Sequence, residues 1–255
     1  MGAGYIDSPF DRLHTAIANS SAYREAIRAA SPDLPDWLTP ASVINLADLQ
    51  RIAASMGVGE GQTIIDLGCG AGAPGLWVAE QTGASLIGVD VSAVAIRIAG
   101  ALAVSRGKVG RTHFILADLT ATGLPDENAH GIMSIDTLMF VEPRAAVGEI
   151  GRLLKRGGVV AVRAVESLVE PFTPTLVCDY RPIFEEAGLT ILRYEEDVDY
   201  RYRSLTFFQA IEERAEAMYA EIGSAADILI DEARDSLEKA KKPPRVRTVY
   251  LVARR

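Results

Sequence analysis

The sequence predicts an α/β protein whose parallel sheet is doubly wound, with helices on both faces. Between residues 63 and about 165, short apolar runs alternate with helical patterns, which is the order that a parallel sheet requires. The runs are apolar throughout rather than at every second residue, which indicates strands covered on both faces. The first run, Thr63–Leu67, ends in a glycine-rich turn.

Seven strands follow from the hydrophobic pattern, at residues 63–67, 86–89, 114–117, 132–135, 159–162, 189–198 and 247–253. One helix is expected to begin near Pro74 and to end at Gly83. Further helices are predicted at residues 93–106, 145–155 and 176–187.

Two helical additions flank this core. We expect an N-terminal helical cap over residues 1–60, the core over 61–198 and 245–255, and a helical insertion over 199–244. The cap should contain helices at 10–18, 22–29 and 45–56, the third capped by Asn45 with Asp48 three residues later. The insertion shows two helical patterns separated at residues 223–224. It should lie near the carboxyl ends of the strands, where ligands bind in such sheets.

The turn after the first strand carries the strongest indication of a ligand site. Gly68, Gly70 and Gly72 can adopt positive φ and let a ligand approach the backbone closely. The free N–H groups of the helix that follows favour a carboxylate or a phosphate. Gly70, Gly72 and Gly75 by themselves also fit the dinucleotide-binding pattern G-x-G-x-x-G, with Asp90 where a ribose-binding acid belongs.

The fuller pattern around the turn favours a cofactor other than a dinucleotide. Asp66-x-Gly68-x-Gly70-x-Gly72, followed by Asp90, resembles motifs I and II of the class I S-adenosylmethionine (SAM) methyltransferases. Two later features of that family are also present: Asp118 after the third strand, and paired glycines at residues 157 and 158 before the fifth. The resemblance implies a Rossmann-like, seven-stranded sheet and SAM as the cofactor.

The segment after the fourth strand limits the class of molecule that can be the methyl acceptor. Asp136 begins the run Asp-Thr-Leu-Met-Phe-Val-Glu, so the chain lacks the Asn-Pro-Pro-Tyr or Asp-Pro-Pro-Tyr of enzymes that methylate adenine or glutamine. This segment is similar to the small-molecule subgroup, and more specifically to bacterial methyltransferases of quinones, sugars or natural products. The resemblance therefore implies a small-molecule acceptor in bacterial secondary metabolism.

The resemblance also assigns roles at the cofactor site. Asp90 should accept hydrogen bonds from both ribose hydroxyls, and Asp118 should accept one from the adenine amino group. Because they adjoin Asp90 and Asp118 in the chain, Val91 and Leu119 are expected to flank the adenine as apolar walls. Asp66 should order the glycine turn through backbone N–H groups.

Methyl transfer from a sulfonium requires positioning and exclusion of water more than acid–base catalysis. If the acceptor must lose a proton, the candidate bases are His14, Asp136, Glu166 and the tyrosines of the cap. Asp136 is the first choice as a catalytic residue because it follows the fourth strand, and a loop-ordering role for it is equally open. His14 is the second choice. His113 and His130 precede strands, so we expect them at the opposite edge of the sheet in surface or packing roles.

The cap and the insertion are expected to form the acceptor pocket, each with an alternative. The large side chains of the cap either pack it onto the sheet or line the pocket: Tyr5, Phe10, His14, Tyr23 and Trp37. The insertion forms the second wall, or its apolar helix faces form a homodimer interface.

Composition excludes several function classes. The chain has 255 residues and a formal net charge of −8, which argues against a nucleic-acid surface because such surfaces require clustered Lys and Arg. Its two cysteines imply neither a disulfide framework nor a metal site, and Cys69 is expected to be a small buried side chain. No apolar run is long enough to span a membrane, and we expect a cytoplasmic location.

Two other functions stay open beside methyl transfer. The first is a SAM-binding enzyme of the same fold that catalyses a cyclisation or a decarboxylation. The second is a regulatory module that binds SAM without turnover.

Overall fold

The structure, a computed structural model, describes residues 8–255, so Tyr5 lies outside the described residues. Its centre is a seven-stranded sheet with strands β1 Thr63–Leu67, β2 Ser85–Asp90, β3 Thr112–Leu116, β4 Ala129–Ile135, β5 Leu154–Ser167, β6 Thr190–Glu196 and β7 Val246–Arg254. The strand order is β3-β2-β1-β4-β5-β7-β6. The first five strands are parallel, and β7 runs antiparallel to both of its neighbours. The predicted doubly wound, seven-stranded sheet is confirmed.

Helices cover both faces of the sheet and form the two additions. In the described part of the chain they are α1 Pro9–Asn19, α2 Ser21–Ala30, α3 Leu46–Met56, α4 Ala73–Thr82, α5 Ala93–Ser105, α6 Pro143–Leu153, α7 Arg181–Glu186, α8 Tyr200–Glu213, α9 Ala215–Ile222 and α10 Asp227–Ala240. Short 3₁₀ turns occupy Val109–Arg111, Leu138–Phe140 and Gly223–Ala226.

The cap helices begin at local signals in the sequence. The side chains of Ser8 and Ser20 accept hydrogen bonds from the backbone N–H groups of Asp11 and Tyr23, and so cap α1 and α2. Asn45 and Asp48 form a capping box at the start of α3, which confirms the prediction for Asn45. The three predicted cap helices are all present.

Two predicted helices differ in their bounds from the observed ones. Helix α6 ends at Leu153, and residues 154–156 already belong to β5. Helix α7 begins at Arg181 rather than near residue 176, because Pro182 is accepted only in a first turn. The residues before it run extended instead: Ser167 donates its backbone N–H to the carbonyl of Val177 at 2.7 Å.

The insertion contains three helices rather than the two that were predicted. Helix α8 ends at Glu213 and is followed by Arg214, whose N–H donates to the carbonyl of Ile211 three residues earlier and so tightens the last turn. Gly223, with φ of +58°, ends α9 at the predicted break. The pattern of apolar residues continues across residue 214, which is why it did not reveal the extra helix end.

Two hydrophobic clusters cover the two faces of the sheet. Ile64 and Ile65 are adjacent in β1 and belong to different clusters, because successive strand residues point to opposite faces. The Ile65 cluster includes residues of α6 and α7. The Ile64 cluster contains residues of α3 to α5 and also of the cap and the insertion, such as Tyr23 and Phe207. The cap and the insertion therefore pack on the same face of the sheet.

Candidate functional site

The glycine turn lies between β1 and α4 at the carboxyl edge of the sheet. Gly68, Gly70 and Gly72 have φ of +76°, +51° and +80°, where side chains are strained. The backbone N–H groups of Gly68 and Cys69 both donate to the carbonyl of Val89 in β2, at 2.8 and 3.0 Å. These bonds fix the turn against the end of the neighbouring strand.

The missing Cβ atoms of these glycines face protein as well as the cavity. A Cβ on Gly68 would lie 2.3 Å from Cγ2 of Thr137, and one on Gly72 would lie 2.8 Å from Cβ of Ala99. Gly68 and Gly70 line the main cavity, whereas Gly72 is not among its lining residues. Gly72 therefore shapes the start of α4 rather than the ligand surface.

Asp90 orders the glycine turn, which corrects the role predicted for Asp66. The Asp90 carboxylate accepts the backbone N–H of Gly70 through Oδ2 and that of Ser92 through Oδ1, each at 2.8 Å. Asp90 ends β2 beside the turn, so its side chain reaches the loop directly. It also lines the cavity.

Asp66 is a buried acid that faces the same cavity. Its side chain lies beside α4, where a Cβ on Gly75 would be 2.5 Å from Asp66 Oδ2. Within the described chain, no backbone N–H of the turn donates to it. Burial raises the pKa of Asp66 to about 7, and the charge of Asp90 adds to the shift.

The predicted adenine residues are brought together at one end of the cavity. Asp118, Val91 and Leu119 all line it. Asp118 is exposed, and its Oδ1 accepts the backbone N–H and the hydroxyl of Thr120 at 2.8 and 2.7 Å. Its other carboxylate oxygen has no such bond within the described chain. Leu119 is buried and Val91 is half exposed, as suits walls of a site open to ligand.

His14 covers the glycine turn from the cap. The imidazole of this buried residue lies so close that a Cβ on Gly70 would be 3.0 Å from Cε1. Burial lowers the pKa of His14, although the charges of Asp90 and Asp11 oppose the shift. The imidazole is therefore neutral at neutral pH, and it lines the cavity.

Asp11 positions this helix, and the sequence reasoning did not identify it. Its Oδ1 accepts the hydroxyl of Ser92 at 2.6 Å and the backbone N–H of Val94 at 3.1 Å. Both donors lie at the N-terminus of α5, where a carboxylate is favoured. The spacing of Asp11 and His14 places them on one helix face, and that was the available signal.

Asp136 lines the cavity but its carboxylate is already engaged. Nε of Arg163 lies 3.1 Å from Oδ1, and Nη2 of the same guanidinium pairs with Oδ2. Asp136 has φ of +53°, and its backbone N–H bonds to the carbonyl of Arg163. Arg163 is 2% exposed. This geometry favours the loop-ordering role of Asp136 over that of a base.

Arg163 extends this pair into a network that joins the three predicted regions. Its Nη1 donates to the carbonyl of Val43 at 2.9 Å and to Asp48 Oδ2 at 3.1 Å, both in the cap. Arg203 of α8 in turn donates to Asp48 Oδ2 at 3.2 Å and to Asp197 at 2.6 Å. The sequence did not reveal this network, because its members are far apart in the chain.

Glu166 was wrong as a candidate base. It is fully buried, does not line the cavity, and accepts hydrogen bonds from Tyr180, Tyr194 and Arg247. It lies three residues after Arg163 in β5, so the two side chains point to opposite faces. His130 lies at the far edge as expected, where its Nδ1 accepts the backbone N–H of Thr63.

One cavity of about 620 Å³ lies between the glycine turn, the cap and the insertion. Its polar end is lined by Gly68, Gly70, His14 and the acids Asp66, Asp90, Asp118 and Asp136. Beyond the cofactor end, its walls are mostly apolar, with Phe10, Leu13, Tyr23, Val43, Met139, Phe140, Phe207, Phe208, Ile211, Ile228 and Leu229. Phe10 and Phe140 meet edge to face, with ring centroids 5.4 Å apart. Trp37 packs under the guanidinium of Arg106 and does not line the cavity.

The described residues contain no group of three or more acidic, Cys or His side chains that could hold a metal ion. Cys69 is buried, and burial raises the pKa of its thiol, as suits a packing role. None of the helices in residues 8–255 has the length and apolar character needed to cross a bilayer.

Comparison with known proteins supports the resemblance. A family model described as a methyltransferase domain matches residues 65–162, from β1 into β5. The chain is 27% identical over 179 residues to methyltransferase GfsG of Streptomyces halstedii, which covers 61% of this chain and 64% of that protein. Residues 65–162 therefore carry a methyltransferase domain, as the resemblance to class I SAM-dependent methyltransferases implied. The match favours SAM over a dinucleotide as the cofactor.

Further comparisons give one more relative in sequence and two solved structures that share the fold. A sterol 24-C-methyltransferase of Pneumocystis carinii is 32% identical over 111 residues, covering 43% of this chain and 29% of that protein. The chain thus spans less than two thirds of both of these relatives. The crystal structure of the (4+2)-cyclase SpnF superposes with a TM-score of 0.72 at 26% identity, covering 82% of this chain and 80% of that one. Geranyl diphosphate C-methyltransferase of Streptomyces coelicolor A3(2) shares the fold, with a TM-score of 0.60 at 15% identity, covering 82% and 78%.

Proposed function

We propose that this protein transfers a methyl group from SAM to a small-molecule acceptor that sits between the cap and the insertion. The observation that supports this most is the single cavity, which joins the glycine turn and Asp90 to a mostly apolar space. Pockets that hold small molecules have this composition, a few polar groups in an apolar wall. The relative GfsG is named a methyltransferase and comes from Streptomyces, which favours an acceptor of bacterial secondary metabolism.

The residues at the polar end fit SAM. The carboxylate of its amino-acid part suits the start of α4, and its ammonium and sulfonium charges suit the buried Asp66. Asp90 would hold the ribose hydroxyls, with Asp118, Val91 and Leu119 around the adenine. When bound, SAM supplies a methyl group on a sulfonium, an electrophile that is already activated.

The chain itself supplies orientation, exclusion of water and a possible proton acceptor. Phe10 and Phe140 close the cavity with apolar surface. Asp136, held by Arg163, orders the loop after β4. The neutral imidazole of His14 is the group we assign to accept a proton if the acceptor must lose one.

The proposal is tested by turnover. The full chain is incubated with methyl-labelled SAM and extracts of small metabolites, and S-adenosylhomocysteine and labelled products are measured together. Equal amounts of S-adenosylhomocysteine and labelled product support methyl transfer. Product formation without S-adenosylhomocysteine contradicts it.

A second function is favoured by one observation, the similarity to the cyclase SpnF. In that case the bound SAM would be a structural ligand and the apolar cavity would fold an acceptor for cyclisation. The same experiment separates the two, because a cyclisation consumes no SAM and gives a product of unchanged mass. Asp90 and the glycine turn would be needed in both cases.

A further inference from the structure

The charges around the cavity are all of one sign. Five acidic residues line it, namely Asp66, Asp90, Asp118, Asp136 and Glu232, and none of the lining residues within the described chain is Lys or Arg. The other ionisable lining groups of the described chain are His14, which is neutral at neutral pH, the buried thiol of Cys69, whose pKa burial raises, and two tyrosines. The cavity thus presents a negative potential to its contents.

Four of these five acids have a role at the cofactor end. Asp66, Asp90 and Asp118 belong to the proposed SAM site, and Asp136 is paired with Arg163. Glu232 is the acid that remains. It lies on α10, one turn after Ile228 and Leu229, which form part of the apolar wall of the insertion.

Glu232 has no hydrogen-bond or ion-pair partner within residues 8–255. Its side chain is exposed, and the surrounding protein still raises its pKa, chiefly by desolvation. Asp235 adds to that shift and Lys239 opposes it. Across the cavity its charge is felt by Tyr23 and Tyr200, and the Tyr23 hydroxyl already donates to the carbonyl of Pro40.

A carboxyl group beside apolar side chains on the cavity wall is free to accept a hydrogen bond from a ligand. An anionic acceptor would meet Glu232 with no Lys or Arg among the lining residues of the described chain, so phosphates and carboxylates are disfavoured. An apolar molecule that carries a hydrogen-bond donor would donate to the Glu232 carboxylate and keep its hydrocarbon part in contact with the aromatic walls.

We propose that the acceptor is an apolar molecule without anionic groups, whose hydroxyl or ammonium is held by Glu232. This inference rests on the proposed function in one respect, that the cavity holds the acceptor. It makes Glu232 a residue that determines specificity, at a distance in sequence from every motif of the family.

Binding of three matched probes tests this. The full chain is saturated with S-adenosylhomocysteine and loaded with N-phenyl-1-naphthylamine, an uncharged apolar fluorophore. Decylamine, decanol and decanoate, which share one chain length, then compete for the cavity. The same titrations are run on Glu232→Gln and on the control Glu238→Gln, an exposed acid of the same helix that pairs with Lys241.

We expect decylamine or decanol to bind with at least about tenfold higher affinity than decanoate, as measured by displacement of the fluorophore. This factor corresponds to the usual strength of a charged hydrogen bond. Glu232→Gln should remove most of the preference for decylamine over decanoate, and Glu238→Gln should leave it unchanged. If decylamine binds more tightly than decanol, the donor is an ammonium; equal affinities indicate a hydroxyl.

Decanoate that binds as tightly as decylamine overturns the inference. So does a preference that survives Glu232→Gln. If Glu232→Gln does not fold, Glu232→Ala is titrated in its place, and a preference for decylamine that survives in that variant overturns the inference. Calorimetry with S-adenosylhomocysteine is run in parallel, because loss of that binding contradicts the proposed function rather than the role of Glu232.

Discussion

Asp90 shows how one side chain can serve both the fold and the ligand. Its two carboxylate oxygens hold the backbone N–H groups of Gly70 and Ser92, and it still lines the cavity. The glycine turn and the start of α5 therefore depend on the same acid that is proposed to hold the ribose.

Asp90→Ala should weaken binding of S-adenosylhomocysteine by about ten- to a hundredfold, since a charged hydrogen bond contributes about 1.5–3 kcal/mol. Isothermal titration calorimetry measures this. Glu60→Ala is the control, because Glu60 is exposed and pairs only with Arg111 at the surface. An unchanged affinity in Asp90→Ala would show that the ribose is held elsewhere.

Asp66 should make SAM binding depend on pH. With a pKa near 7 in the free protein, its carboxyl is mostly protonated at pH 6 and mostly ionised at pH 8. The ionised form attracts the cationic part of SAM, so Asp66 should tighten binding by about tenfold as the pH rises through this range.

The measurement compares the unmodified protein with Asp66→Asn. The ionisable groups of SAM titrate in the same way with both proteins. The difference between the two profiles of affinity against pH is therefore caused by Asp66. Identical profiles would mean that Asp66 is ionised throughout, or that it does not sense the cofactor.

At the scale of elements, the buried charges explain how the cap and the insertion are held over the sheet. Arg163 of β5 contacts Asp136 after β4 and Asp48 of α3, and Asp48 also contacts Arg203 of α8. These side chains are nearly all buried, so each depends on its partners. The network fixes the loop after β4, which borders the cavity, relative to both helical additions.

Arg163→Met should lower the free energy of unfolding by about 3–5 kcal/mol, because it leaves Asp136 buried without its partner and removes one of the two guanidinium groups that contact Asp48. Urea unfolding monitored by circular dichroism measures this. Adding Asp136→Asn should recover part of the loss, since one unpaired charge is then removed. A matched control is Arg181→Met, which breaks an exposed pair with Asp179 and should change stability little. A loss as small as that of Arg181→Met would show that water replaces the guanidinium.

At the scale of the whole molecule, the cap and the insertion close on each other as well as on the sheet. Ser20 and the backbone N–H of Ala22 donate to Glu221 of α9 at 2.7 and 3.2 Å, so the insertion caps the start of α2. Tyr23 meets Phe207 edge to face with centroids 5.6 Å apart. The hydrophobic cluster continues from these rings to the sheet.

This shared core predicts one cooperative unfolding transition. The chain has two tryptophans, Trp37 in the cap and Trp77 in α4, so Trp77→Phe leaves a reporter of the cap and Trp37→Phe one of the core. Their fluorescence and the circular dichroism should give coincident urea curves. A cap signal that changes at lower urea would show instead that the cap unfolds as a separate unit.

The sequence by itself determined the local features. The strands, the glycine turn, the capped helix starts and the acids at strand ends each depend on residues within one turn or one strand, so their pattern is legible in the chain. Asp118, Val91 and Leu119 came together at the cavity because neighbouring parallel strands end at the same edge.

Only the tertiary structure decided which side chains meet across the chain. Asp90 rather than Asp66 holds the glycine turn, Arg163 occupies the carboxylate of Asp136, and Glu232 faces the cavity without a partner. These outcomes depend on packing between elements that are many residues apart in the sequence. Neither the hydrophobic period nor the motif spacing indicates which of these elements come into contact. Function at the acceptor end therefore follows from how the cap and the insertion dock, which no local pattern specifies.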